Sequence, residues 1–205
     1  MTQHHPSDST LIAYAAGKLP RPHRIVMRTH LAMCAQCARA ANLASEVGGA
    51  LLDEIAPAAM DSRALEMTLA RLDLRDSQPS PARVPTTIAE LATGRWRWIG
   101  PGMRIMALRP RDGNDARLDL LRVGAGVALP GNGHRGMELT CVLQGGFRDE
   151  SGDYLAGDVA EGDAAMEHRP EALRLGEECI CLIATTGRLR AHDWLARLVQ
   201  PLIGV

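Results

Sequence analysis

The sequence predicts an α+β protein of two parts, a helical N-terminal part followed by an all-β sandwich or barrel. Three observations carry this. Between residues 8 and 75, apolar residues recur at helical spacing between caps and breakers. The run Asp76-Ser77-Gln78-Pro79-Ser80-Pro81-Ala82-Arg83-Val84-Pro85 is polar and proline-rich, the composition of a semi-extended connector. From Trp96 onward, short apolar runs alternate with Gly, Pro and Asp turns about every ten residues. The boundaries read as 1–76 for the helical part, 77–95 for the linker and 96–205 for the β part with a C-terminal helix.

Ser7 and Asp8 can cap a first helix through Leu11, Ile12 and Tyr14, with Gly17 ending it. Pro20 and Pro22 punctuate before a second, roughly residues 24–33, whose Ile25, Val26 and Met27 need a partner surface. A third, roughly residues 38–55, carries Leu43, Val47, Leu51 and Leu52 at helical spacing. Gly48-Gly49 interrupts it; two glycines cost about 1–2 kcal/mol relative to alanine, and mark a break or a close helix approach. Asp61-Ser62 opens a fourth stretch, with Leu65, Leu69 and Leu72 at i, i+4 and i+7. So small a part has little core to offer it, so the stripe is either core or a face for a partner helix.

His30-x3-Cys34-x2-Cys37 places three soft or borderline ligands within eight residues. Zn2+ takes four such ligands in a tetrahedron. On a helix the three share one face; in a turn, C-x2-C still lets two sulfurs chelate one ion. His5 is the best candidate for the fourth ligand, with His4 its neighbour and competitor. The bland alternative is two buried apolar cysteines and a surface histidine.

In the β part, the runs 104–108, 118–123, 139–143 and 179–184 read as strands, and residues 149–153 and 156–158 as connections. Residues 192–205 form an amphipathic stretch, with Trp194, Leu195, Leu198 and Val199 packing as a helix on the barrel. Gly126-x5-Asn132-x-His134-x3-Glu138-x6-Gly145 follows the first cupin motif, G-x5-H-x-H-x3-E-x6-G, and His168 follows later. Residues two apart on a strand face the same way, so such ligands converge in a barrel. The first histidine is replaced by Asn132, a harder and weaker ligand. Two readings stand: His134, Glu138 and His168 hold a second divalent metal (zinc, iron, nickel or manganese), or the barrel is empty. Cys179 and Cys181 share one strand face, and Cys141 lies on another strand. They are apolar filler or oxidation-sensitive thiols, and Met137 is a further oxidisable side chain. His4, His23 and His192 have no partners at useful spacing and read as surface or cap residues.

The segment His5-Pro6-Ser7-Asp8, the run Ala13-Tyr14-Ala15-Ala16-Gly17 and the His30/Cys34/Cys37 cluster resemble the N-terminal half of ChrR-type anti-sigma factors, zinc-binding inhibitors of extracytoplasmic-function (ECF) sigma factors. The resemblance continues through residues 130–140 and 142–158, which look like that family's cupin domain. It implies a zinc-binding helical anti-sigma domain followed by a cupin (jelly-roll) barrel. It implies zinc on His5, His30, Cys34 and Cys37, an ECF sigma factor as partner, and the fourth helix (Leu65, Leu69, Leu72) as part of the grip, with residues 1–75 sufficient to bind. It implies that the barrel senses singlet oxygen or organic hydroperoxide. With imidazole at His5, the first site reads as structural zinc whose binding is part of folding. The competing reading is a metal-dependent, dioxygenase-like cupin enzyme with a helical zinc appendage.

Composition bounds the partners. Lys and Arg number 23 against 24 Asp and Glu, so no global basic field holds nucleic acid or anionic lipid. The polar N-terminus lacks the apolar run of a signal peptide, and no segment reaches the ~20 apolar residues of a membrane span. Five cysteines, an odd number, favour ligation, burial or redox chemistry over a disulfide framework. A cytoplasmic protein is expected. A cupin dimer is compatible with the sequence, as is a monomer whose helical arm holds its partner.

Overall fold

The computed structural model describes residues 2–75, 92, 94–108, 116–129, 132–133, 136–162, 169–186 and 190–191. Of the expected linker, 77–95, only residues 92, 94 and 95 are described; the histidines His134, His168 and His192 and the expected C-terminal helix lie outside the described residues.

Four helices come first: α1 (Asp8–Ala15), α2 (Arg21–Met33), α3 (Ala35–Asp53) and α4 (Ala64–Arg75). Ser7 caps α1, its hydroxyl accepting from the Thr10 amide at 3.3 Å. Gly17, at φ +67°, then turns the chain out of α1. α2 begins three residues earlier than the prolines suggest. Pro22 sits in its first turn, where a missing N–H costs nothing. The helix ends where Cys34 adopts an extended conformation (φ −123°, ψ 100°), and α3 starts at the next residue. Gly48 and Gly49 do not break α3, and no atom of the described residues lies within 4 Å of where their Cβ atoms would be. α4 is exposed from Leu65 to Leu72.

Eleven strands follow among the described residues. A six-stranded antiparallel sheet runs in the order β1 (Arg97–Gly100), β2 (Met103–Leu108), β3 (Arg117–Val123), β10 (Cys179–Thr185), β5 (Glu138–Gln144) and β8 (Val159–Gly162). A three-stranded sheet has β6 (Gly146–Asp149) between β7 (Gly152–Leu155) and β9 (Glu171–Ala172), and the short strands β4 (Asn132–Gly133) and β11 (Arg190–Ala191) pair separately.

Alternation divides each central strand between two cores. One face of the large sheet contributes Leu121, Val142, Cys179 and Cys181 to a cluster with Phe147, Tyr154 and Ala172 of the small sheet. The other face contributes Leu118, Leu120, Leu139, Cys141, Leu182 and Ala184. Here the helical part packs. α2 lies against β5 and β10, and its Val26 and Met27, both fully buried, join that outer cluster with Leu11, Leu19, Cys34 and Cys37. Complete burial of such side chains stabilises by about 1.5–3 kcal/mol each. The helices and the sheet therefore share one hydrophobic core. His23, read from sequence as a surface residue, is fully buried in this interface, with Nε2 against the Met137 carbonyl at 3.2 Å. It falls on the same stripe as Val26, Met27 and His30, at i, i+3, i+4 and i+7.

Candidate metal centre

His5, His30, Cys34 and Cys37 come together from three separate segments. Their ligand atoms all lie within 4.8 Å of one another, and the cluster is largely buried. The break between α2 and α3 explains the cysteines. Cys34 occupies the extended junction and Cys37 the first turn of α3, which brings both thiols to the same point. His30 reaches it from the last turn of α2. His5 reaches it from the segment before α1, with Nδ1 3.5 Å from Cys34 Sγ and 3.3 Å from Cys37 Sγ. Zn–S and Zn–N bonds of about 2.3 and 2.0–2.1 Å at a tetrahedral angle put S and N about 3.5 Å apart. The spacing thus fits one zinc ion.

The ring nitrogens of His30 agree. Nδ1 lies 2.7 Å from the carbonyl oxygen of Gly157 in the β7–β8 connection. A carbonyl only accepts, so Nδ1 carries the proton and Nε2 the lone pair. Nε2 is buried with no hydrogen-bond partner among the described residues, an expensive arrangement unless a metal takes the lone pair. Burial holds the His30 pKa below its ordinary 6.5, against the opposing Gly157 bond, so the ring is the neutral ligand form at neutral pH.

The two thiols differ. Burial pushes Cys37 up to about 11, with Cys34 beside it adding to the shift. Burial also acts upward on Cys34, but hydrogen bonds from the Thr2 side chain and the Cys37 backbone outweigh it, and Cys34 ends below its ordinary 9.0.

The other expected site residues lie elsewhere. Glu138, at the start of β5, is buried inside the β part and accepts a bond from Thr140 Oγ1 at 3.2 Å. Asn132 is in β4, paired with Ala191, while His134 and His168 lie outside the described residues. Cys179 and Cys181 face the inner core with their sulfurs 3.6 Å apart. Cys141 faces the outer core instead, and burial pushes its thiol up to about 12. Leu65, Leu69 and Leu72 stand 51–70% exposed. No described helix is long and apolar enough to cross a membrane.

Comparison with known proteins adds the lineage. A family model described as the ChrR cupin-like domain matches residues 85–189, and a zinc-finger model matches residues 10–38, which include His30, Cys34 and Cys37 but not His5. Anti-sigma-E factor ChrR of Cereibacter sphaeroides is 42% identical over 213 residues, covering 99% of each chain. The chain belongs to the ChrR family of anti-sigma factors. ChrR in the crystal structure of the Rhodobacter sphaeroides SigE–ChrR complex superposes with a TM-score of 0.76 at 40% identity, covering 90% of this chain and 99% of that one. An RmlC-like cupin protein from Ralstonia eutropha is similar at 20% identity and a TM-score of 0.46, over 60% of this chain and 78% of that one. Membership makes the architecture a zinc-finger-type helical part followed by a cupin. It places the chain among regulators, and the dioxygenase-like reading finds no support in a family named for anti-sigma activity.

Residues that the sequence reading missed surround the cluster. Thr2, Gly157, Asp158 and Glu161 all touch it or its flanks. The sequence marks Gly157 and Asp158 only as part of a connection, and the role of the last three at the cluster is not local, since each acts across more than 120 positions of chain.

Proposed function

We propose that the chain inhibits an ECF sigma factor through its helical part, folded around one Zn2+ held by His5, His30, Cys34 and Cys37, and that the cupin receives the release signal. The observation that carries the reading is the apolar surface left on α3 and α4. Leu43, Val47, Leu51 and Leu52 on α3, and Leu65, Met67, Leu69 and Leu72 on α4, are 51–70% exposed. Exposed apolar helix faces mark interaction sites, and an amphipathic helix seats such a face in a partner's groove. ChrR, similar over the whole chain, is solved in complex with SigE, which supports a sigma factor as the occupant. Covering the sigma factor's polymerase-binding surfaces keeps it from RNA polymerase. The full chain is expected to co-elute with its cognate ECF sigma factor and to suppress transcription from that factor's promoter. Leu65→Asp with Leu69→Asp is expected to weaken binding at least tenfold while leaving zinc content at one per chain. No binding to any ECF sigma factor by the wild-type chain overturns the reading.

For the signal, Cys179 and Cys181 are the favoured thiols. The hydrogen bond from Cys181 lowers the Cys179 pKa against burial, while Cys181 is held well above its ordinary value. One cysteine of this buried pair, whose sulfurs lie 3.6 Å apart, is the nucleophile. Its sulfur attacks an organic hydroperoxide, releasing the alcohol and leaving a sulfenic acid. The other thiol of the pair then displaces water to close the disulfide. For the barrel we propose that Glu138, buried at the start of β5, holds a second divalent metal together with His134 and His168, the alternative being an empty barrel. Metal analysis of a Glu138→Gln variant that still carries the helical zinc separates that role from simple burial.

A further inference from the structure

Both histidines of the cluster are held in place by the β part. The segment Gln3–Ser7 runs along β8. The Val159 amide donates to the His4 carbonyl at 3.1 Å. The Gln3 and His4 amides donate to Asp158 Oδ1 at 2.7 and 3.2 Å, and Asp158 Oδ2 takes the Leu155 amide at 2.9 Å. Two residues beyond His5, the Ser7 amide and hydroxyl donate to the Glu161 carboxylate at 2.8 and 3.1 Å, and the Thr10 hydroxyl donates to it as well. The His4 ring stacks on Tyr154 at 4.1 Å, and Tyr154 stacks on Phe147 at 4.7 Å. Neighbours in an extended segment point to opposite sides. With His4 pinned on the cupin, His5 is aimed at Cys34 and Cys37.

The second histidine is oriented by the Gly157 carbonyl, as described above. Gly157 has φ +98°, a conformation that L side chains rarely adopt, and a Cβ there would meet Thr2 Cγ2 at 2.7 Å. Glycine is what lets the β7–β8 connection bring its carbonyl against His30.

We infer that the cupin is a structural part of the zinc site. Gly157, Asp158 and Glu161 are its positioning residues, and zinc occupancy and docking of the Gln3–Ser7 segment on β8 form one linked equilibrium. The inference rests on the proposed zinc reading. Linkage is reciprocal: whatever loosens the segment from β8 weakens zinc, and removing zinc loosens the segment by the same factor. Outer partners of metal-bound histidines are worth about 10–100-fold in metal affinity. Disturbance of the cupin therefore reaches the helical part through its metal.

The test uses the full-length chain. Zinc affinity is measured by competition with a chromophoric chelator for the wild type, for Glu161→Ala, and for Arg122→Ala. The last removes an ion pair with Glu178, away from the segment. Glu161→Ala is expected to bind one zinc about 10–100-fold more weakly, and Arg122→Ala to match the wild type. The second readout needs no variant. Hydrogen exchange at the Val159 amide, a cupin group, is followed with and without zinc, and removal is expected to speed it at least tenfold. Equal affinities for Glu161→Ala and Arg122→Ala, or Val159 exchange indifferent to zinc, overturn the inference. Failure of the underlying reading looks different: the wild type would carry no zinc that the pair Cys34→Ser and Cys37→Ser abolishes.

Discussion

Cys34 and Cys37 are three residues apart, yet their thiols are not equivalent. Burial and the neighbouring Cys34 sulfur hold Cys37 at about 11, so in the metal-free chain it keeps its proton at neutral pH. Zinc binds the thiolate, so loading must expel that proton. His30, held below 6.5 by burial, has no proton to give in this range. The sign follows: lowering the pH returns protons to the sulfur and weakens binding, and raising it strengthens binding until pH nears the Cys37 value. Apparent zinc affinity is expected to rise about tenfold or more per pH unit between pH 7 and 8, by chelator competition. Folding has its own pH dependence. Cys141 is raised to about 12 by burial, with the Asp158 charge adding to it, from an ordinary 9.0. The stability that Cys141 contributes is complete below pH 9 and is lost as pH climbs toward 12.

Two elements carried open alternatives in the sequence, and the structure narrows both in a way that bears on partner binding. The Gly48-Gly49 pair left open a break or a close helix approach, and α3 is continuous through it. Neither glycine has a positive φ, and open space surrounds both Cβ positions. Nothing among the described residues therefore requires glycine there. Alanine at each position is expected to stabilise the chain by about 0.4–1 kcal/mol, read as a higher midpoint in urea. If the pair exists for a partner helix packed close against α3, the same double substitution weakens sigma-factor binding while the chain itself becomes more stable. A gain in stability with unchanged binding assigns the glycines no role in the complex. Of the two sequence readings of α4, core is excluded, and the partner-facing one is the reading proposed above. The helix's Leu65, Leu69 and Leu72 are not core.

At the scale of the whole molecule, what the sequence made legible was local. His30, Cys34 and Cys37 declare themselves by spacing within eight residues, and the four central strands by alternation. The join between the halves was not legible. The Gly157 carbonyl and the Asp158 carboxylate serve residues 127 and 155 positions away, and a polar proline-rich run between two patterns suggests independent domains. Yet α2 showed a clue: His23, Val26, Met27 and His30 form one stripe that the three N-terminal helices alone do not cover. The sheet covers it, with Val26 and Met27 fully buried in the cluster that holds Leu139 and Leu182. This bears on the expectation that residues 1–75 suffice for sigma-factor binding. The apolar faces of α3 and α4 lie within that fragment, so it is expected to bind. Cut from the sheet, it exposes Val26 and Met27, which at about 1.5–3 kcal/mol each is a large share of the stability of so small a unit. It also loses Gly157, Asp158 and Glu161 from around its zinc ligands. Residues 1–75 are therefore expected to melt lower than the full chain, to bind a hydrophobic dye, and to surrender zinc at chelator concentrations that the full chain resists. A fragment matching the full chain in melting and zinc retention would mean that the shared core is a contact of convenience and that the two halves stand alone.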